Sequence, residues 1–164
     1  MSWQPSASMS RLKQRALVLQ SIRDFFGTRD VWEVETPILS QFAGTDVHLE
    51  PLTAIFSGRQ HYLHTSPEFA MKRLLAAGSE SIFQICKVFR DDELGRQHNP
   101  EFSMLEWYRI GFDENQLMDE ISDLLTFLQQ RFRYQLLIQV IEIERNNFET
   151  MINQCALYFS ERRK

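Results

Sequence analysis

Apolar residues recur at helical spacing in the first part of the chain. After a loose polar lead-in over residues 1–9, Leu12, Ala16, Leu19, Ile22 and Phe26 follow at intervals of 4, 3, 3 and 4, one stripe of a helix that opens at Ser10. Gly27 stands where a left-handed residue would end that helix. Val31-Trp32-Glu33-Val34-Glu35 alternates with period two and predicts a strand. Thr36-Pro37 closes it, because proline cannot donate to a ladder. Residues 40–51 carry Gly44 and Pro51 and read as a loop, and Tyr62 to His64 as a short strand. Ser66-Pro67-Glu68 opens a second helix through Phe69, Met71, Leu74 and Leu75 that stops at Gly78.

Residues 81–90 and 101–109 form two strands rich in β-formers, joined by the polar segment DDELGRQHNP. Leu117, Ile121, Leu124, Leu125 and Leu128 keep the helical period over 114–132. Beyond Arg133 the run YQLLIQVIEI fits strand or helix equally, and ERRK is a charged tail. Alternation along the second strand puts Phe102, Met104, Glu106 and Tyr108 on one face and Glu101, Ser103, Leu105 and Trp107 on the other. On the first strand Arg90 shares its face with Val88, Cys86 and Gln84. A carboxylate, a phenol and a phenyl ring on one sheet face suit a ligand with a cationic end and a stacking end. Arg90, at the mouth of a connection longer than the usual hairpin loop, can grip a phosphate in a bidentate way. The same pattern also fits a plain amphipathic hairpin with a solvated tip.

Composition narrows the class. The 164 residues suit one compact domain, and 43% hydrophobic content is enough to bury a core. A net charge of −4 disfavours a general nucleic-acid coat, although a local basic patch stays open. No apolar run is long enough to span a membrane, and MSWQPSASMSRLKQ has no secretory-signal pattern. Cys86 and Cys155 form neither a disulfide framework nor a metal knuckle, so a cytoplasmic setting is the default expectation. His61 and His64, three apart on a strand, point to opposite faces, and no metal site is expected.

The residue strings say more than the pattern. Arg90, followed by His98-Asn99-Pro100-Glu101-Phe102 and Met104-Leu105-Glu106-Trp107-Tyr108, resembles motif 2 of the class II aminoacyl-tRNA synthetases, in the lysyl branch. Val34-Glu35-Thr36-Pro37 is similar to the end of motif 1, which forms that family's dimer interface. Thr65-Ser66-Pro67-Glu68 with Met71-Lys72-Arg73-Leu74 is similar to the branch's amino-acid-binding turn. Ser2 to Ser8 stands directly before the first helix, with no anticodon-binding barrel ahead of it. Thr45-Asp46-Val47-His48-Leu49 and Gly95-Arg96-Gln97-His98 resemble the paralogous branch that lysylates translation elongation factor P. The resemblance covers roughly residues 2–130 and rests on the strings combined.

The resemblance implies an α+β fold: an antiparallel sheet flanked by helices, the N-terminal part of a class II catalytic domain. Residues 1–132 would be that partial domain and 133–164 a separate segment of undetermined structure. It implies activation of lysine or β-lysine by ATP and transfer of the acyl group to elongation factor P, with tRNA the less favoured acceptor. By motif position Arg90 is the catalytic residue at the α-phosphate. Asp91, Asp92, His98 and Asn99 would join it around ATP, with Phe102 stacked on adenine. Ser66, Pro67, Glu68, Glu106 and Tyr108 would line the amino-acid site, where a carboxylate is the needed partner for an ammonium.

Two departures from the family pattern stand out. Asp92 replaces the usual glutamate of the Arg-x-Glu head of motif 2. The Gly-rich motif 3 and the late acidic residues expected to hold Mg²⁺ have no counterpart, since all six glycines are isolated. An incomplete, inactive form is therefore expected. The competing readings are a fragment like lysyl-tRNA synthetase and a non-catalytic module that only dimerises or binds protein. The bland alternative for Thr65 to Glu68 is a helix capping box, and for Arg90 a surface ion pair.

Overall fold

The computed structural model describes residues 3–91, 95 and 98–132, and the backbone of residues 155–159. The ambiguous run at 134–143 and Asp92 lie outside the described residues. The first helix, α1 (Met9–Gly27), begins where the Ser8 hydroxyl accepts the Arg11 amide at 3.3 Å, an N-cap. Only its C-terminal half is buried, through Ile22, Phe25 and Phe26, while Leu12 and Leu17 face solvent. The expected left-handed stop at Gly27 is not where the chain turns. Thr28 caps α1 in right-handed geometry, and the positive φ of 54° falls on Asp30. Gly78, with φ 93°, does follow the second helix, α2 (Glu68–Ala76), as expected.

Among the described residues seven strands form two sheets. The larger has the order β1 (Trp32–Glu33), β5 (Ile82–Phe89), β6 (Glu101–Tyr108), β7 (Cys155–Phe159). The β5–β6 and β6–β7 pairs are antiparallel, whereas β1 lies parallel to β5 at the edge. The smaller sheet is antiparallel, with β4 (Arg59–Leu63) between β2 (Leu39–Ser40) and β3 (Thr53–Phe56). The β3–β4 hairpin turns on Ser57-Gly58, both at positive φ, the geometry a two-residue hairpin requires. Backbone bonds fasten the two sheets: Phe89 N–H donates to the His64 carbonyl at 3.0 Å and Asp91 N–H to the Glu50 carbonyl at 2.7 Å. The architecture is α+β, as expected, with the parallel β1 pair as its exception.

The period-two pattern decides where the core sits. Phe83, Leu105 and Trp107 on one sheet face pack against Ile22, Phe25 and Phe26 of α1 and against Leu117, Leu124 and Leu128 of α3 (Glu114–Phe132). The Phe26 ring stacks on Phe83 with centroids 4.7 Å apart. Trp107 Nε1 donates to Glu120 of α3 at 3.0 Å, and Arg109 lies 3.3 Å from the same carboxylate. With α1 and α3 on this face, the opposite face is left for polar groups. There α2 buries Met71 against Ile82 and Tyr108, with Leu74 and Leu75 partly buried beside it. Among the described residues no helix is long and apolar enough to cross a membrane.

Candidate functional site

Register assembles the polar face. Gln84 pairs with Glu106, Cys86 with Met104, Val88 with Phe102 and Ile82 with Tyr108, so these side chains share the face away from α1 and α3. Arg90 follows β5 directly, and its N–H donates to the Pro100 carbonyl at 2.9 Å, closing the hairpin beneath its long connection.

Glu106 is the most deeply buried acid of the face, 2% exposed. The Tyr108 hydroxyl donates to its Oε1 at 2.7 Å. Burial pushes the Glu106 carboxyl up to about 7, and the nearby Glu68 carboxylate adds to the rise. Tyr108, the Ser66 hydroxyl and the Lys72 ammonium pull the other way, because each favours the ionised form. Glu106 therefore sits among Tyr108, Ser66, Glu68 and Lys72, a set that wants one more cation. Cys86, on the same face, has its thiol pushed up to about 12 by burial and by Glu106, so it is not a nucleophile.

Arg90 is 8% exposed, which sets aside the surface ion pair. Its guanidinium carbon lies 5.2 Å from the Phe102 ring centroid, and its Nε donates to the Thr65 carbonyl at 3.4 Å. The turn before α2 thus touches both halves of the face: Thr65 meets Arg90, while Ser66 and Glu68 act on Glu106. The capping box is not formed. Pro67, buried, is the N-cap without a side-chain bond, and the Ser66 hydroxyl accepts the Glu68 amide at 3.2 Å. The Glu68 carboxylate turns forward to Lys72 Nζ at 2.8 Å instead.

The remaining residues are placed more loosely. His98 is exposed, and its backbone exchanges bonds of 3.2 and 3.3 Å with Gly95 in a turn at the hairpin tip. Asn99 is half-buried beside it, and Asp91 is exposed where the strand ends. Two members of the face escaped the sequence reading. Thr36, read only as the end of a strand, donates from Oγ1 to Gln84 Oε1 at 2.9 Å in a buried bond. Lys72 carried a legible signal, four residues after Glu68 on one helix.

Comparison with known proteins places this geometry. Residues 1–159 match the family model of class II tRNA synthetases of the D, K and N type. The chain is 53% identical over 158 residues to the elongation factor P–(R)-β-lysine ligase of Pseudoalteromonas translucida, covering 93% of this chain and 46% of the relative. The protein of the same name from Photobacterium profundum is 52% identical over 153 residues, covering 90% and 45%. That from Vibrio cholerae is 57% identical over 129 residues, covering 75% and 40%. The chain spans less than half the length of these relatives. A polar sheet face built on motif 2, carried by a chain that matches the family model almost end to end, makes this protein a member of the class II tRNA synthetase family.

Proposed function

We propose that this chain carries the nucleotide- and amino-acid-holding face of a ligase that activates lysine or (R)-β-lysine with ATP and passes the acyl group to a lysine of elongation factor P. The observation that carries the reading is the Thr65–Glu68 turn, which joins the buried Arg90, beside a half-buried Phe102, to a buried Glu106–Tyr108 pair on one face. The relatives' names supply the acceptor and the amino acid.

In the first step a carboxylate oxygen of the amino acid bonds to the α-phosphorus, and the bond to the β-phosphate oxygen breaks to release pyrophosphate. Charge builds on the α-phosphoryl oxygens, where the Arg90 guanidinium neutralises it from a water-poor position. Phe102 offers a face to adenine, His98 and Asn99 hold the triphosphate, and Asp91 and Asp92 complete the ATP site. Glu106, Tyr108, Ser66 and Glu68, with Pro67 fixing the turn, seat the ammonium groups. In the second step an amine of the acceptor attacks the acyl carbon and AMP leaves. Class II synthetases generally use Mg²⁺ with ATP. Among the described residues no group of three or more His, Cys, Asp or Glu is placed to hold a metal ion, so no step here passes through it.

Calorimetric titration tests the reading. Glu106→Ala is expected to weaken lysine binding by about 10- to 100-fold, the loss of charge-assisted hydrogen bonds, and to leave ATP binding near wild type. Equal loss of both ligands would remove Glu106 from the amino-acid site. The 164 residues contain no Gly-x-Gly-x-Gly run. The purified polypeptide is therefore expected to bind without supporting lysine-dependent ATP–pyrophosphate exchange, and robust exchange would show that this face suffices.

We also propose a homodimer through the motif 1 segment. Trp32, Ile38 and Leu39 are exposed along it, apolar surface that a partner would cover. Sedimentation at micromolar concentration is expected to show a dimer that Trp32→Ser weakens. A monomer at all concentrations would count against it.

A further inference from the structure

Glu68 already holds an ammonium. In α2 the Lys72 Nζ lies 2.8 Å from Glu68 Oε1, and it also acts on Glu106, favouring that carboxylate's ionised form. Two acids of the proposed amino-acid site therefore share one resident cation, on a side chain 42% exposed. A lysine stem of four flexible carbons can carry its charge out to water without disturbing the helix. An i,i+4 pair of this exposure is weak, so an incoming ammonium with better geometry can displace it.

We propose that Lys72 is a built-in competitor of the substrate: its ammonium occupies Glu68 until the ammonium of a diamino acid takes its place, and it thereby sets the affinity of the site. The inference rests on the reading of Glu68 and Glu106 as amino-acid ligands and adds a residue that meets the acid without meeting the substrate. Lys72 is a specificity-setting residue rather than a catalytic one. In the empty site it balances charge that would otherwise repel between Glu68 and Glu106. It also penalises ligands with no ammonium strong enough to displace it.

The test is lysine binding by calorimetry at pH 8, where Glu106 is mostly ionised, in low salt, with the whole chain. Lys72→Met is expected to bind lysine about two- to fivefold more tightly, the factor by which a weak intramolecular pair competes. Lys72→Arg, which keeps the charge, is expected to stay near wild type. In a Glu68→Gln background the gain from Lys72→Met should largely disappear, because there is no acid left to compete for. Unchanged or weaker binding by Lys72→Met, or the same gain in the Glu68→Gln background, overturns the role of Lys72 alone. Wild-type protein that binds no lysine overturns the amino-acid site itself, and with it this inference.

Discussion

Glu106→Gln is expected to make the protein more stable above pH 7 while weakening lysine binding. The carboxyl is buried, and its folded value of about 7 lies above the ordinary 4.5. Between those values the folded chain holds a proton that the unfolded chain releases. Its favourable contribution is complete below pH 4.5 and is lost as pH rises through 7. At pH 8 the ionised, desolvated carboxylate costs the wild type up to about 3 kcal/mol relative to a neutral side chain. Glutamine keeps an oxygen to accept from Tyr108 and carries no charge. Thermal melts should place Glu106→Gln roughly 6–12 °C above wild type at pH 8, with the gap closing toward pH 5. A variant equal to or less stable than wild type at pH 8 would mean that the cation-seeking cluster around Glu106 is already satisfied in the free protein.

Glu120→Ala is expected to have the opposite effect, of similar size, on the other face. Glu120 is buried, accepts the Trp107 indole N–H at 3.0 Å and faces Arg109 at 3.3 Å. Removing it leaves a largely buried guanidinium without its counter-charge and an indole donor without an acceptor, a loss of about 3–5 kcal/mol. Glu120→Gln keeps the acceptor for Trp107 and should cost less. Urea unfolding of the two variants beside wild type checks both the size and the order. If both match wild type, neither the ion pair nor the indole bond contributes to stability.

The polar face was legible because a strand has only two faces. Once 101–109 read as a strand, Phe102, Glu106 and Tyr108 had to share a side and Leu105 and Trp107 the other, whereas the register of the pair was needed to bring Gln84, Cys86 and Val88, followed by Arg90, to the Glu106 side. What alternation cannot show is which side the helices take. That depended on the C-terminal half of α1: Ile22 and Phe26 of the expected stripe are buried together with Phe25, while Leu12 and Ala16 at its N-terminal end face solvent. The small sheet was largely invisible: Ile55 and Phe56 of β3 are exposed, so no half-buried alternation marked that strand. Only the short strand expected at Tyr62 to His64, which overlaps β4, caught part of that sheet. Thr36 and Lys72 were missed for a different reason. Their importance lies in partners, Gln84 and the Glu68–Glu106 pair, that chain distance or local helix pairing made ordinary.

The strict two-sidedness of β5 and β6 also governs which length changes the gene can tolerate. Losing one codon inside either strand would shift part of the ladder by half a repeat, driving Glu106 toward the aromatic layer beneath and lifting Trp107 into water. Codons gained or lost between Asp91 and Asn99 leave that parity intact. Relatives should therefore vary in length at the hairpin tip and almost never within the strands.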